Sequence, residues 1–189
     1  MIGQQESQQW FEGLSQFDAS NQCAILAVFA IFGIPTTYLD VGCGTGAMVK
    51  VAKAIGVDAY GVDQLVGEDY YNLYRRDLRQ PFDLARQFDL VTSIEFVEHV
   101  EADYEGNVSD TLTRHVGIGG RLVLTSAPPG QPGYNHFNCQ PKSYWRDRME
   151  NRGLRYSEIE TLRLVEVWSH TFMATHWLEN NLQVFRRYG

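Results

Sequence analysis

The sequence has little cysteine: Cys23, Cys43 and Cys139 are the only three in 189 residues. An odd number without paired spacing argues against a disulfide framework and against a cysteine zinc site. Reduced thiols point to a cytoplasmic protein. Long apolar runs are missing as well. The longest, Cys23 to Phe32, falls far short of the ~20 residues that a membrane span needs. Met1 to Gln9 carries no positive charge, which argues against a secretory signal. Positive charge is scarce throughout: 16 Lys and Arg against 23 Asp and Glu leave a net of −7. That argues against an extended nucleic-acid surface, though not against a short nucleic-acid end held in a local pocket. What is present is 44% hydrophobic and 13% aromatic residues. This suffices for one self-contained core, so a single domain over 1–189 is expected.

Strand-like and helix-like segments alternate along the chain. Asp18 or Ser20 can cap a helix to Phe32, which Gly33 and Pro35 would stop. With the polar stretch before it, this makes an N-terminal helical cap over 1–36. The core would then run from 37 to 189. Strands are expected at Thr37–Val41, Ala59–Asp63, weakly before Asp77, at Phe88–Ile94 and at Gly120–Ser126. Helices fit Ala47–Ile55, Tyr104–Val116 and Pro141–Arg152. Two further β-like stretches lie near Tyr156–Leu162 and Leu182–Arg187, with room for a helix between them. This alternation predicts an α/β fold, a doubly wound, mainly parallel sheet with helices on both faces. Such sheets bind ligands at the carboxyl ends of their strands.

The run Leu39-Asp40-Val41-Gly42-Cys43-Gly44-Thr45-Gly46-Ala47 sits where the first strand hands over to a helix. Glycines there permit a tight turn and close approach of a ligand. The following helix start offers amides to polar ligand atoms. Its spacing is G-x-G-x-G, whereas the dinucleotide fingerprint needs glycine where Ala47 stands, which disfavours a nicotinamide enzyme. Asp63 ends the second strand at a distance suited to ribose hydroxyls.

On these residues, with Gly61-Val62-Asp63, Arg76-Asp77-Leu78 and the strand Phe88-Asp89-Leu90-Val91, the chain resembles the class I S-adenosylmethionine-dependent methyltransferases. The resemblance implies a Rossmann-like seven-stranded sheet whose last strand, Leu182–Arg187, runs antiparallel. It implies that Asp40, Gly42, Gly44 and Gly46 hold the methionine part of S-adenosylmethionine. Asp63 would bind the ribose, Gln64 would lie beside the adenine, Asp77 would meet its amino group and Leu78 would pack on the ring.

After the fourth strand comes Glu95-Phe96-Val97-Glu98-His99. On a helical turn Glu95, Glu98 and His99 would share one face, at the sheet edge where the methyl is presented. His136 follows the fifth strand at the same edge. Carboxylates with imidazoles can hold a divalent cation, Mg²⁺ or Mn²⁺. This pattern resembles two hydroxyl-methylating branches of the family. They are the 2′-O-methyltransferases of small-RNA 3′ ends and the O-methyltransferases of ubiquinone synthesis. Both carry Glu-x-x-Glu-His and use a metal. Without a metal, Glu95, His99 or His136 could serve substrate binding or general-base catalysis, or simply packing. Trp10 and Phe11 could cover the pocket. Cys139 lies near it, but methyl transfer needs no covalent intermediate. His115 sits at a helix C-terminus, where a charge would be favourable. His170 and His176, beside Trp168 and Trp177, read as packing.

The expected function is transfer of a methyl group to a hydroxyl of a small acceptor, a sugar or other metabolite. The loop Asn135–Pro141 with Tyr144-Trp145 also resembles small phage and bacterial polysaccharide-locus methyltransferases. Two alternatives stay open: a 2′-O-methyltransferase of RNA or nucleotide ends, and a catalytically silent S-adenosylmethionine-binding module.

Overall fold

The computed structural model describes residues 13–66, 71–171 and 176–189. Trp10 and Phe11, and the side chains of His176 and Trp177, lie outside the described residues. The strands are β1 (Thr37–Val41), β2 (Asp58–Asp63), β3 (Leu73–Arg75), β4 (Phe88–Ser93), β5 (Val116–Leu124), β6 (Arg155–Tyr156) and β7 (Gln183–Arg186). The helices are α1 (Asp18–Phe32), α2 (Ala47–Ala54), α3 (Glu105–Arg114), α4 (Lys142–Glu150), α5 (Glu158–Thr171) and α6 (His176–Asn181). The seven described strands form one sheet in the order β3-β2-β1-β4-β5-β7-β6. β7 runs antiparallel to both β5 and β6, and the other pairings are parallel. The order reverses between β1 and β4, and such a switch point opens a crevice at the strands' carboxyl ends.

The alternating strand residues build a core on each face. Tyr38, Leu90, Val123 and Val184 pack towards α1, α2 and α5. Leu39, Val91, Leu122 and Phe185 pack towards α3 and α4, where Trp145 and Met149 are fully buried. Burial on both faces explains why these strands read as continuous apolar runs. The helix α1 stops at Gly33, whose backbone has φ 87° and whose amide closes on the Phe29 carbonyl at 2.9 Å.

Three segments differ from expectation. Tyr156–Leu162 is mostly helix: β6 ends at Tyr156 and α5 begins at Glu158. Ser157 accepts the Glu160 amide at 3.4 Å, so Ser-x-x-Glu here is a helix-start signal. It outweighs the β-branched residues that follow. Thr161, Leu164 and Trp168 then face inward at helical spacing. The weak third strand is only Leu73–Arg75, ending short of Asp77.

The strand β5 starts at Val116, before Gly120, because it carries a bulge. Val116 pairs with Phe88, and Arg121 already pairs with Leu90. A Cβ on Gly120 would stand 2.8 Å from the Phe88 carbonyl oxygen and 2.9 Å from that of Gly117. Backbone atoms cannot yield as side chains do. Gly120→Ala should therefore cost about 1–3 kcal/mol. In thermal unfolding that is a loss of about 5 °C in Tm, and an unchanged Tm would show that the bulge can relax.

Candidate active site

The end of β1 turns sharply through Gly42, with φ 79°, and Gly46, with φ 76°. A Cβ at Gly42 would overlap the Phe96 ring, and one at Gly46 would lie 2.7 Å from Leu73. Only glycine meets both demands, the left-handed backbone and the close approach. The turn is tied to the end of β2: Asp63 Oδ2 accepts the Gly44 amide at 3.0 Å, and Oδ1 accepts the Leu65 amide at 2.8 Å. Burial raises the Asp63 carboxyl above its usual range, against the pull of those two amides. Asp40 is wholly buried behind the turn. Its Oδ1 accepts the Thr92 hydroxyl at 2.6 Å, and the Tyr38 hydroxyl lies 2.7 Å from the same Thr92 oxygen. Its Oδ2 has no partner. Burial pushes the Asp40 carboxyl up to about 7.

A cavity of about 1230 Å³ opens over this turn. Gly42, Gly44, Asp63, Gln64, Asp77 and Leu78 line it. Glu95, His99 and His136 line the same cavity. Leu14 and Phe17, just before α1, lie on its rim side with Ser20 and Asn21. Thr45 of the glycine turn donates its hydroxyl to Asp18 of α1 at 2.5 Å. Leu78 is buried. Asp77 is gripped by Arg79 through Nε at 2.9 Å and Nη2 at 2.8 Å. Those hydrogen bonds hold its carboxyl below the usual range.

The sheet edge beyond β4 is not one helical face. Glu95 has a left-handed backbone, φ 46°, and a short 3-10 turn covers only Val97–His99. The Glu98 side chain therefore turns inward and is fully buried. Its Oε1 accepts the Ala127 amide at 3.2 Å, and Oε2 has no partner. Burial, and then the Glu95 carboxylate, push the Glu98 carboxyl well up. The Glu98 backbone carbonyl accepts the amides of Phe137 at 2.9 Å and Asn138 at 3.0 Å. That pins the loop after β5 and brings His136 to His99, ring centroids 5.0 Å apart.

Each of these imidazoles points Nδ1 at a carbonyl: His99 at Asn135, 3.2 Å, and His136 at Gln131, 3.3 Å. A carbonyl can only accept, so the Nδ1 that faces it carries a proton, and His99 is hydrogen-bonded to the Tyr134 backbone as well. Burial, with the neighbouring His136, pushes His99 down to about 4, so it is neutral near pH 7. Donor atoms of Glu98, His99 and His136 all lie within 4.8 Å of one another.

A family model described as a methyltransferase domain matches residues 14–185 of the sequence. The chain belongs to this methyltransferase family. It is a class I S-adenosylmethionine-dependent methyltransferase. The fold is shared with a TehB-like S-adenosylmethionine-dependent methyltransferase from Corynebacterium glutamicum. The two are 17% identical with a TM-score of 0.70, over 98% of this chain and 100% of that one. It is shared also with a 1,6-didemethyltoxoflavin-N1-methyltransferase from Burkholderia thailandensis, 13% identical with a TM-score of 0.68, over 97% and 85%. A sugar N-methyltransferase from Streptoalloteichus is 16% identical with a TM-score of 0.65, over 89% and 87%. No curated protein matches the sequence.

Within the methyltransferase, the glycine turn and Asp63 meet through the Gly44 amide. Of the four residues expected at a cation, Glu98, His99 and His136 bring donor atoms within 4.8 Å of one another, and Glu95, outside that group, meets the Glu98 side chain. Glu95 also accepts Asn181 Nδ2 at 3.0 Å and Gln131 Nε2 at 3.2 Å. Neither amide carries a motif that a sequence reading could have found. His115 is buried and neutral rather than a charged helix cap. Its Nδ1–H donates to Thr111 at 2.7 Å, its Nε2 accepts the Leu84 amide at 3.0 Å, and burial lowers its pKa. Burial raises the Cys139 thiol, as do Glu98 and Glu95, which opposes a nucleophilic thiolate. No described helix is long and apolar enough to cross a membrane.

Proposed function

We propose that this protein methylates a hydroxyl of a small acceptor, a sugar or similar metabolite, in the cytoplasm. In this reading Glu98, His99 and His136 hold a divalent cation, Mg²⁺ or Mn²⁺. The observation that carries it is the convergence of the buried Glu98 carboxylate with His99 and His136, two imidazoles that line the cavity. The donor set fits an ion. Glu98 Oε2 is buried without a hydrogen-bond partner, and imidazole nitrogens beside a carboxylate are ordinary ligands of a divalent cation. A bound cation lowers the pKa of a coordinated hydroxyl, so that it can attack the methyl carbon.

The chain's own residues do the rest. The Asp40–Gly46 turn would seat the methionine end of the donor, and Asp63 would take the ribose hydroxyls. Gln64, Asp77 and Leu78 would flank the adenine. Glu95, His99 and His136 would face the acceptor. Much of the rate then comes from positioning, because the donor is already electrophilic. A His99 whose conjugate acid sits near pH 4 is a weak general base and a ready neutral ligand, which supports the cation over the metal-free alternative.

Arg79 is the one guanidinium on the cavity wall among the described residues, and Asp77 and Glu101 engage it, the latter at 3.7 Å. A phosphate has little to meet here. That supports a small uncharged acceptor over an RNA end, as do the sugar and toxoflavin named for the structural neighbours. Oxygen rather than nitrogen as the acceptor atom rests on the cation cluster.

The test is a calorimetric titration of chelator-treated protein with S-adenosylhomocysteine and then Mn²⁺. Both should bind, with Glu98→Gln weakening Mn²⁺ by about tenfold or more and leaving S-adenosylhomocysteine unaffected. Binding of S-adenosylhomocysteine without Mn²⁺ would return the histidines to a metal-free role. Labelled methyl transfer to free sugars and to RNA oligomers then separates the acceptors. Labelling of neither would favour a silent binding module.

A further inference from the structure

Arg79 lines the cavity, and no step of the proposed reaction uses its charge. It stands two residues after Asp77, in a turn closed by the Gln80 amide on the Asp77 carbonyl at 3.0 Å. The turn brings its donors onto one carboxylate. Asp77 Oδ1 accepts the Arg79 amide at 3.0 Å and Nε–H at 2.9 Å, and Oδ2 accepts Nη2–H at 2.8 Å. Nε–H is shared with Oδ2 at 3.1 Å. Arg79 is itself held by residues before and within α3. Asn107 Nδ2 donates to its carbonyl at 2.6 Å, Glu101 Oε1 lies 3.7 Å from Nη1, and the Tyr104 ring centroid is 5.8 Å from the guanidinium carbon. The Arg79 and Asp77 side chains are 43% and 39% exposed. A pair that open to water contributes little to folding, whereas a forked grip of this kind fixes the orientation of a carboxylate.

We infer that Arg79 is a positioning residue for the donor's base: it clamps Asp77 so that one acceptor site, on Oδ2, is left for the adenine amino group. This rests on the reading that Asp77 meets that amino group. An ionised carboxylate has about four lone-pair sites and no donor. The Arg79 amide and Nε–H fill Oδ1, and Nη2–H takes one side of Oδ2. The same bonds hold the carboxyl below its usual range, so it stays ionised and only accepts. An amino group can donate to the remaining site, whereas a 6-oxo group there would set acceptor against acceptor. A site built to bond a polar group rejects an analogue that cannot make the bond. Without Arg79, Asp77 would be an exposed loop carboxylate free to turn to water, and the choice of base would relax.

Calorimetric titration with S-adenosylhomocysteine and with S-inosylhomocysteine, its 6-oxo counterpart, tests this in three forms: unaltered, Arg79→Met and Asp77→Asn. Methionine keeps an unbranched apolar stem and removes every side-chain donor. The unaltered protein should prefer the adenine compound by about tenfold or more. In Arg79→Met that preference should shrink to about threefold or less, through weaker binding of S-adenosylhomocysteine with S-inosylhomocysteine little changed. In Asp77→Asn the preference should vanish, because a side-chain amide can turn either a donor or an acceptor to the base. A general loosening of the fold would weaken both ligands alike and leave their ratio intact. An Arg79→Met protein that keeps the full preference overturns the inference. An unaltered protein without a preference, or an Asp77→Asn protein that retains one, is a different result: it takes the amino group away from Asp77, and this inference falls with that reading.

Discussion

Replacing Asp63 with alanine is expected to weaken S-adenosylhomocysteine binding by about a hundredfold or more, because each hydrogen bond to a charged group is worth about 1.5–3 kcal/mol. Asp63 does two things at once. Its oxygens take the Gly44 and Leu65 amides, which fixes the glycine turn to the end of β2. Each oxygen keeps a further lone pair, and two vicinal hydroxyls of a ribose can use both. Alanine would remove the proposed ribose contacts and would also leave the Gly44 and Leu65 amides without their partner. Asparagine should be nearly as damaging, because its Nδ2 would point a donor at one of those amides. Calorimetry reads the affinity, and thermal unfolding confirms that each variant is folded. A loss of less than about threefold in a folded Asp63→Ala protein would move the ribose away from this residue, since one ordinary hydrogen bond already exceeds that.

The glycine turn and its tie to the end of β2 are legible because they are written in local sequence. Glycines at Gly42, Gly44 and Gly46 follow a strand, and an acid ends the next strand. Strands β1, β2 and β4 are each bounded by such punctuation. The meeting of Glu98, His99 and His136 depends on contacts that no short window contains. His136 reaches His99 because two amides of its loop bond to the Glu98 backbone carbonyl, and a carbonyl has no residue identity. Asn181 meets Glu95 across 86 positions. A single helical face for Glu95, Glu98 and His99 requires one regular turn. The positive φ at Glu95 breaks that turn. In α5 the error was of another kind. A capping signal at Ser157 and Glu160 was present in the sequence, and the β-branched residues around it carried more weight than they should have.

Asp40 sets up the second large effect, one of opposite sign in stability and in binding. An acid whose pKa is raised on folding favours the native state at low pH, and that contribution is lost as pH rises through the folded value. For Asp40 the rise runs from 3.8 to about 7. About three pKa units correspond to at most about 4 kcal/mol. Unliganded protein should therefore lose stability between pH 4 and 7 through this residue. Asp40→Asn should remove that loss while keeping the Thr92 hydroxyl bonded at Oδ1. At pH 4 the variant and the unaltered protein should unfold at similar temperatures, and at pH 8 the variant should be the more stable. Binding should move the other way. The partnerless Oδ2 sits behind the turn proposed to seat the methionine end, whose ammonium group can stabilise the ionised carboxylate directly or through water. S-adenosylhomocysteine affinity should thus rise with pH through 7 in the unaltered protein. In Asp40→Asn it should fall by about tenfold and lose that pH dependence. A variant that is no more stable at pH 8 would mean that Asp40 is already compensated when unliganded. A variant that binds with undiminished affinity would make Asp40 a structural acid of the β1 end, and the strain of burying it would then need another purpose.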